Sequence, residues 1–130
     1  MTESPTIAFD YEPVLAHLNG ATDDALDALE FGVIGFDAAG VVRRYNALES
    51  KLAGLSLQRV LGNPFFTVVA PCMNNYLVSQ RFDDALEAGS PLDQTIDYVL
   101  TLRMRPIKVK LRLLADPASP MRYLLVKRPT

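Results

Sequence analysis

The C-terminal part of the chain changes from helical to alternating periodicity, and this change constrains the fold more than any other feature of the sequence. Three stretches after Gly89 alternate apolar and polar residues with the period of two that is typical of β-strands: "QTIDYVLTLRM", "IKVKLRLLA" and "MRYLLVKR". Turn segments separate them, at Arg105–Pro106 and at "DPASP". The sequence therefore predicts a three-stranded antiparallel meander.

The residues before this meander predict two further strands and several short helices. "FGVIGFD" and "VVRRYN" flank the turn "AAG", which favours a β-hairpin. Helical patterns, several of them ending at glycine, occupy "YEPVLAHLNG", "DDALDALE", "NALESKLA", "SLQRVLG" and "YLVSQRFDDALEAG". This order of elements predicts an α+β fold with an antiparallel sheet.

The last predicted strand needs cover on both sides of the sheet. Leu124 and Val126 alternate with Leu125, so apolar side chains point to both faces. The helices between the strands would cover one face, and the two N-terminal helices the other. We expect one domain, residues 1–130, made of an N-terminal helical cap (1–28) and a core (29–130).

Composition and charge exclude several classes of protein. Of the 130 residues, 49% are hydrophobic and 22% charged, as in a globular domain, and the net charge of −2 does not favour nucleic-acid binding. No apolar window reaches the ~18 residues of a membrane span, and the N-terminus lacks a signal-peptide pattern. With a single cysteine, these features predict a cytoplasmic protein. Lys108, Lys110 and Arg112 alternate with apolar residues and predict the solvent-exposed face of a strand.

Tyr45 and Glu49 form a candidate site for an anionic oxygen. They are four residues apart, so in a helix their side chains project from one face. The neighbours of Glu49 are largely apolar, which would raise its pKa and favour the neutral, hydrogen-bond-donating form. The residues taken alone leave a second interpretation open, in which Tyr45 is a core residue at a strand end and Glu49 is solvated.

Cys72, within "NPFFTVVAPCMNN", is the only cysteine. It has no partner for an internal disulfide and no metal-ligand spacing around it. A thiol enzyme would need an activating base near Cys72, and His17 is the only histidine, so we do not expect an enzyme.

Taken together, these motifs resemble the photoactive yellow protein family of bacterial blue-light receptors. The resemblance runs from "DALEFGVIGFDAAG" to "YLLVKR", and its strongest stretches are "FGVIGFD", "YNALE", "VLGNPFF", "VAPC", "IKVK" and "VKR". It implies a PAS fold, with a central antiparallel five-stranded sheet, helices on one face and an N-terminal helical cap on the other.

The resemblance also implies a cofactor, 4-hydroxycinnamic acid (p-coumaric acid), bound to Cys72 as a thioester. Its phenolate oxygen would be held by Tyr45 and Glu49. Other matching pocket positions are Ile34, Phe65, Val69, Ala70, Pro71, Tyr98 and Met104. Three further pocket positions depart from the family pattern: Ala53 replaces a threonine, Leu55 an arginine and Leu100 an aromatic residue. The loss of the threonine removes one hydrogen bond from Tyr45, worth roughly 1 kcal/mol.

The function that the resemblance implies is that of a blue-light photoreceptor. Light would isomerise the chromophore from trans to cis, Glu49 would then give up its proton, and partial unfolding beginning at the N-terminal cap would carry the signal. The expected partner is a separate downstream signalling protein, and the expected state is a monomer or weak dimer. The alternative is a chromophore-free PAS interaction module in which Cys72 is a buried structural thiol.

Overall fold

A five-stranded antiparallel sheet forms the centre of the molecule. The computed structural model describes residues 8–10, 14–101 and 106–129. The strands are β1 (Gly32–Phe36), β2 (Val42–Tyr45), β3 (Leu92–Leu100), β4 (Ile107–Ala115) and β5 (Arg122–Lys127). They lie in the order β2-β1-β5-β4-β3, and each neighbouring pair is antiparallel. The predicted α+β class, the hairpin and the C-terminal meander are confirmed.

Five α-helices accompany the sheet within the described residues: α1 (Val14–Gly20), α2 (Asp23–Asp27), α3 (Ala47–Ala53), α4 (Leu57–Val60) and α5 (Ser79–Ala88). A π-helical turn (Phe65–Val69) and a 3₁₀ turn (Pro71–Met73) connect α4 to α5. Helix α5 begins three residues later than its sequence pattern predicts. It ends before Gly89, whose φ of 64° is the left-handed conformation that favours glycine at this position.

The β1–β2 turn is stabilised by the side chain of Asp37. Its Oδ1 accepts hydrogen bonds from the backbone N–H groups of Ala39 (2.9 Å) and Val41 (3.1 Å). Gly40 supplies the positive φ, 81°, that the turn needs. This turn fixes the direction in which β2 runs, and therefore the position of Tyr45 at the end of β2.

Hydrophobic cores lie on both faces of the sheet, as predicted. The helix-side core contains Phe36, Phe65 and Phe82, whereas the cap-side core contains Leu18 and Leu26 of the N-terminal helices. Strand β5 contributes to both, since Leu124 and Val126 point to the first core and Tyr123 and Leu125 to the second. The exact division between cap and core at residue 28 stays a prediction.

Arg112 does not lie on an exposed face, and that prediction was wrong. Lys108 and Lys110 are exposed, but Arg112 is only 5% exposed. Its guanidinium donates to both carboxylate oxygens of Asp93, at 2.8 Å each, and to the carbonyl oxygen of Phe9, at 2.9 Å. Phe9 contacts this part of β4 from a distant segment of the chain, which a strand pattern taken alone cannot reveal.

Within the described residues, no helix combines the length and the hydropathy that crossing a bilayer requires. Met104, predicted to line the pocket, and Arg105, predicted to lie in a turn, fall outside the described residues.

Candidate functional site

A small cavity of about 10 Å³ lies on the helix side of the sheet. Strands β1 and β2, helix α3 and the π-helical turn supply most of its walls. The lining residues are Ile34, Tyr45, Glu49, Ala53, Leu55, Phe65, Val69, Ala70 and Met73. All except Met73 are among the pocket positions predicted from the sequence. Met73 is 2% exposed, and a single methionine beside a cysteine gives no pattern from which a pocket position is predicted.

Asn46 places Glu49 by starting helix α3. Its Oδ1 accepts hydrogen bonds from the backbone N–H groups of Glu49 (3.2 Å) and Val33 (2.9 Å), and its Nδ2 donates to the carbonyl oxygens of Leu26 and Phe31, at 2.9 Å each. Asn46 is 1% exposed. One buried side chain therefore connects the start of α3 to β1 and to the N-terminal cap.

Gly32 on β1 leaves the space that the carboxyl group of Glu49 occupies. A Cβ atom added at Gly32 would lie 2.0 Å from Oε1 of Glu49 and 3.0 Å from its Cδ. Glu49 is 3% exposed. Gly32 was not predicted as a site residue from the sequence. A glycine is required there only because Glu49, on another element, packs directly against the backbone.

The carboxylate of Glu49 forms an ion pair with Arg128, which follows β5. Two parallel hydrogen bonds join them, 2.6 Å from Nη1 to Oε1 and 3.0 Å from Nη2 to Oε2. The side chains are 11% (Arg128) and 4% (Glu49) exposed. Burial raises the pKa of Glu49 above its usual range, and the Arg128 guanidinium opposes part of that rise. From the sequence, only apolar neighbours were expected around Glu49, and Arg128 was not predicted as its partner.

The hydroxyl group of Tyr45 lies in the buried wall of the cavity. Its side chain is 6% exposed, and the described residues offer its oxygen no hydrogen bond. Burial raises the pKa of Tyr45 far above its usual value, and the negative charge of Glu49 adds to the rise. Ala53, which lines the same cavity, has no group that accepts or donates a hydrogen bond. The hydroxyl of Tyr45 therefore stays neutral and available to a bound molecule.

Cys72 is half-buried in the 3₁₀ turn, next to the lining residues Ala70 and Met73. Burial raises the pKa of its thiol, and the polar groups of Cys72's own backbone and of nearby Thr101 oppose part of the rise. Cys72 is not itself one of the residues lining the cavity, but it packs against the same core.

The backbone of Cys72 is held from β3 and from the segment before α5. Its carbonyl oxygen accepts hydrogen bonds from Oη of Tyr98 (2.8 Å) and from Nδ2 of Asn75 (3.0 Å). The amide of Asn75 also donates to the Tyr98 hydroxyl, at 2.8 Å. This closed set of three hydrogen bonds fixes the turn that carries the thiol. Tyr98 was predicted as a pocket residue, whereas Asn75 was not identified.

The remaining predicted residues surround this arrangement. Pro71 is the first residue of the 3₁₀ turn, and Leu100 is 3% exposed in the helix-side core. Among the described residues, no group of three His, Cys, Asp or Glu side chains lies close enough together to hold a metal ion. A largely apolar cavity with one hydroxyl and one buried carboxyl group therefore lies next to the turn that carries the thiol.

Comparisons with known proteins identify relatives over most of the chain. Residues 26–126 match the family model of the PAS fold. The chain is 34% identical to the photoactive yellow proteins of Rhodothalassium salexigens and Halochromatium salexigens, over 92% of this chain and 92% of each relative. The solved photoactive yellow protein domain of the sensor histidine kinase Ppr from Rhodospirillum centenum is similar, with a TM-score of 0.79 and 36% identity. That match covers 87% of this chain and 98% of the domain. The chain therefore belongs to the photoactive yellow protein family of PAS-fold sensor domains.

Proposed function

We propose that this protein is a blue-light receptor that carries 4-hydroxycinnamic acid as a thioester on Cys72. One observation carries the proposal: the hydroxyl of Tyr45 and the buried carboxyl of Glu49 line one cavity beside the only cysteine. The two relatives named photoactive yellow protein, matched over nearly the whole chain, support it.

Each polar residue has a defined task in this proposal. The Cys72 sulfur holds the acyl group, while Tyr98 and Asn75 fix the turn around it. Tyr45 and neutral Glu49 donate hydrogen bonds to the phenolate oxygen, which offsets the cost of burying that charge. The raised pKa of both groups favours the donor forms. When bound, the chromophore supplies the absorption of blue light and the trans–cis isomerisation.

The apolar lining keeps water from the buried groups. We assign this task to Ile34, Ala53, Leu55, Phe65, Val69, Ala70, Pro71, Leu100 and Met104, with Tyr98 at the side of Cys72. Ala53 cannot form the hydrogen bond with the Tyr45 hydroxyl that a threonine side chain at this position would form. The colour and the recovery rate should therefore differ from those of relatives with a threonine at this position.

Signalling begins in this proposal when Glu49 loses its proton to the phenolate oxygen. Helix α3, which carries Glu49, is connected to the cap by the side chain of Asn46. We infer that the N-terminal cap, residues 1–28, loosens from the core, residues 29–130. The solved relative is a domain of a sensor histidine kinase. We accordingly infer a signalling protein as the partner here, in the cytoplasm.

Attachment of the chromophore tests the proposal directly. The protein is incubated with an activated thioester of p-coumaric acid, and its intact mass and visible spectrum are recorded. We expect the mass of one coumaroyl group, a visible band that bleaches in blue light, and neither in Cys72→Ala. A folded wild-type protein that forms no adduct would overturn the proposal and favour a chromophore-free PAS module.

A further inference from the structure

The pairing of Glu49 with Arg128 has the geometry of an ion pair. A guanidinium has five N–H donors and no acceptor, and its planar fork matches the two oxygens of a carboxylate. Both oxygens of Glu49 accept from Arg128, at 2.6 and 3.0 Å. A neutral carboxyl group would have to keep its proton on an oxygen that already accepts a hydrogen bond. The observed arrangement is therefore that of Glu49 after it has lost its proton.

A bound phenolate requires Glu49 in its protonated form instead. To donate a hydrogen bond to it, Glu49 must hold a proton on one carboxyl oxygen, which leaves only the other oxygen for Arg128. The two states contain the same charges. Before transfer the buried negative charge is on the ligand oxygen, and after transfer it is on Glu49. In both states the positive charge of Arg128 balances it.

We propose that Arg128 is a positioning residue for the proton transfer. Its guanidinium binds and holds the Glu49 carboxylate as the proton leaves. The inference rests on the proposed function and deepens it. In the transfer, the O–H bond of Glu49 breaks and an O–H bond forms on the phenolate oxygen, and no electron is gained or lost. Arg128 acts through Glu49 and keeps its own protons throughout. Without a partner, an ionised carboxylate at this depth would be strongly destabilised.

The surroundings of Glu49 leave Arg128 as its ionic partner within the described residues. Charged or titratable groups act on Glu49 from two directions, Arg128 after β5 and Tyr45 at the end of β2. From β1, Gly32 presents no side chain, and a Cβ there would overlap the carboxyl oxygen. At the start of the helix that carries Glu49, Asn46 contacts the backbone N–H of Glu49 and not its carboxyl group. The carboxylate is therefore confined next to the guanidinium.

The first test uses the protein without chromophore and so does not depend on light. The titration of Glu49 is followed by ¹³C NMR in the wild type, Arg128→Met, Arg128→Lys and the control Arg43→Met. Arg43 pairs with Asp37 at an exposed site, where its side chain is 56% exposed. We expect the pKa of Glu49 to rise in Arg128→Met, to be partly restored in Arg128→Lys and to stay unchanged in Arg43→Met. An unchanged titration in Arg128→Met overturns the proposal.

The second test follows the carboxyl stretching band of Glu49 by time-resolved infrared spectroscopy after illumination of the coumaroylated protein. Because the Glu49 carboxylate loses its partner, we expect the band to disappear at least about tenfold more slowly in Arg128→Met than in the wild type. Arg128→Lys should be intermediate. If Arg128→Met does not fold, the Lys variant carries the test, since it keeps the charge but loses the paired hydrogen bonds.

The two levels of the inference fail in different ways. Normal chromophore attachment with unchanged band kinetics in the Arg128 variants would overturn the role of Arg128 and leave the proposed function standing. A wild-type protein that forms no adduct would overturn the proposed function, and the role of Arg128 in proton transfer with it.

Discussion

The hydroxyl of Tyr98 on β3 donates a 2.8 Å hydrogen bond to the carbonyl oxygen of Cys72, 26 residues away in the chain. Tyr98→Phe removes this donor and leaves Asn75 as the remaining donor to that carbonyl. We expect a loss of about 1 kcal/mol in the free energy of unfolding, measured by urea denaturation. The control is Tyr76→Phe, since Tyr76 is 78% exposed. Equal stability of the two variants would contradict the prediction.

Attachment of the chromophore should depend on pH. The thiolate is the nucleophile, and burial raises the pKa of Cys72. The rate of acylation should therefore keep rising with pH beyond the range in which a free cysteine derivative has levelled off. The measurement is the acylation rate against pH, followed by intact mass, with N-acetylcysteine as the reference. Identical pH midpoints for the two thiols would rule out this expectation.

The side chain of Thr101 should favour the thiolate of Cys72. Thr101→Val removes the side-chain interaction that lowers the pKa of the thiol, so the pKa rises further. Attachment at neutral pH should then be slower than in the wild type, in the same acylation assay. Thr95→Val, an exposed substitution on β3, is the matched control. Equal rates in both variants would show that Thr101 does not influence the thiol.

Gly32→Ala should destabilise the protein through Glu49. The added Cβ would lie 2.0 Å from Oε1, so the carboxyl group or β1 must shift. We expect a loss of about 1–3 kcal/mol in the free energy of unfolding. Gly20→Ala is the control, since a Cβ at Gly20 meets no atom within 4 Å.

A double-mutant cycle assigns the effect of Gly32→Ala to the clash. In a Glu49→Ala background, the same substitution should cost much less, because the overlapping carboxyl group is gone. The comparison is made by denaturant unfolding of the four proteins. An undiminished cost in that background would place the strain elsewhere in β1.

Arg112→Met should loosen the N-terminal segment. The substitution removes the hydrogen bonds from a buried guanidinium to Asp93 and to the carbonyl of Phe9. We expect a loss of about 1.5–3 kcal/mol and faster amide hydrogen exchange in α1 (Val14–Gly20). Lys110→Met, two residues away on the same strand, removes only the exposed pair with Asp97 and should change little. Similar exchange rates in both variants would refute the prediction.

Local patterns were sufficient to predict most of the fold. The three C-terminal strands were predicted from side-chain alternation, and the first two from extended runs on either side of a glycine turn, and neither pattern needs knowledge of distant residues. Gly40 and Gly89 marked the hairpin turn and the end of α5 because each adopts a positive φ, 81° and 64° respectively. Tyr45 and Glu49 both line the cavity, as predicted, but the shared helical face from which they were paired is not present, since Tyr45 ends β2 and only Glu49 lies in α3.

The features that were not predicted depend on contacts between distant parts of the chain. Arg128 and Glu49 are 79 residues apart, and no periodicity connects them. The burial of Arg112 depends on Phe9, 103 residues earlier. Gly32 looks like any small strand residue until Glu49 is placed against it. In each case the contact that determines the role of the residue is made by another element, so the local sequence pattern does not predict that role.

Strand β5 contributes side chains to both cores, with Leu124 and Val126 on one face and Tyr123 and Leu125 on the other. It is hydrogen-bonded along both edges, to β1 and to β4. A substitution that changes the size of one of these side chains therefore shifts a backbone that also positions the opposite face. In evolution, changes in the cavity-side core and in the cap-side core should not accumulate independently. Homologous sequences should show them varying together at these four positions.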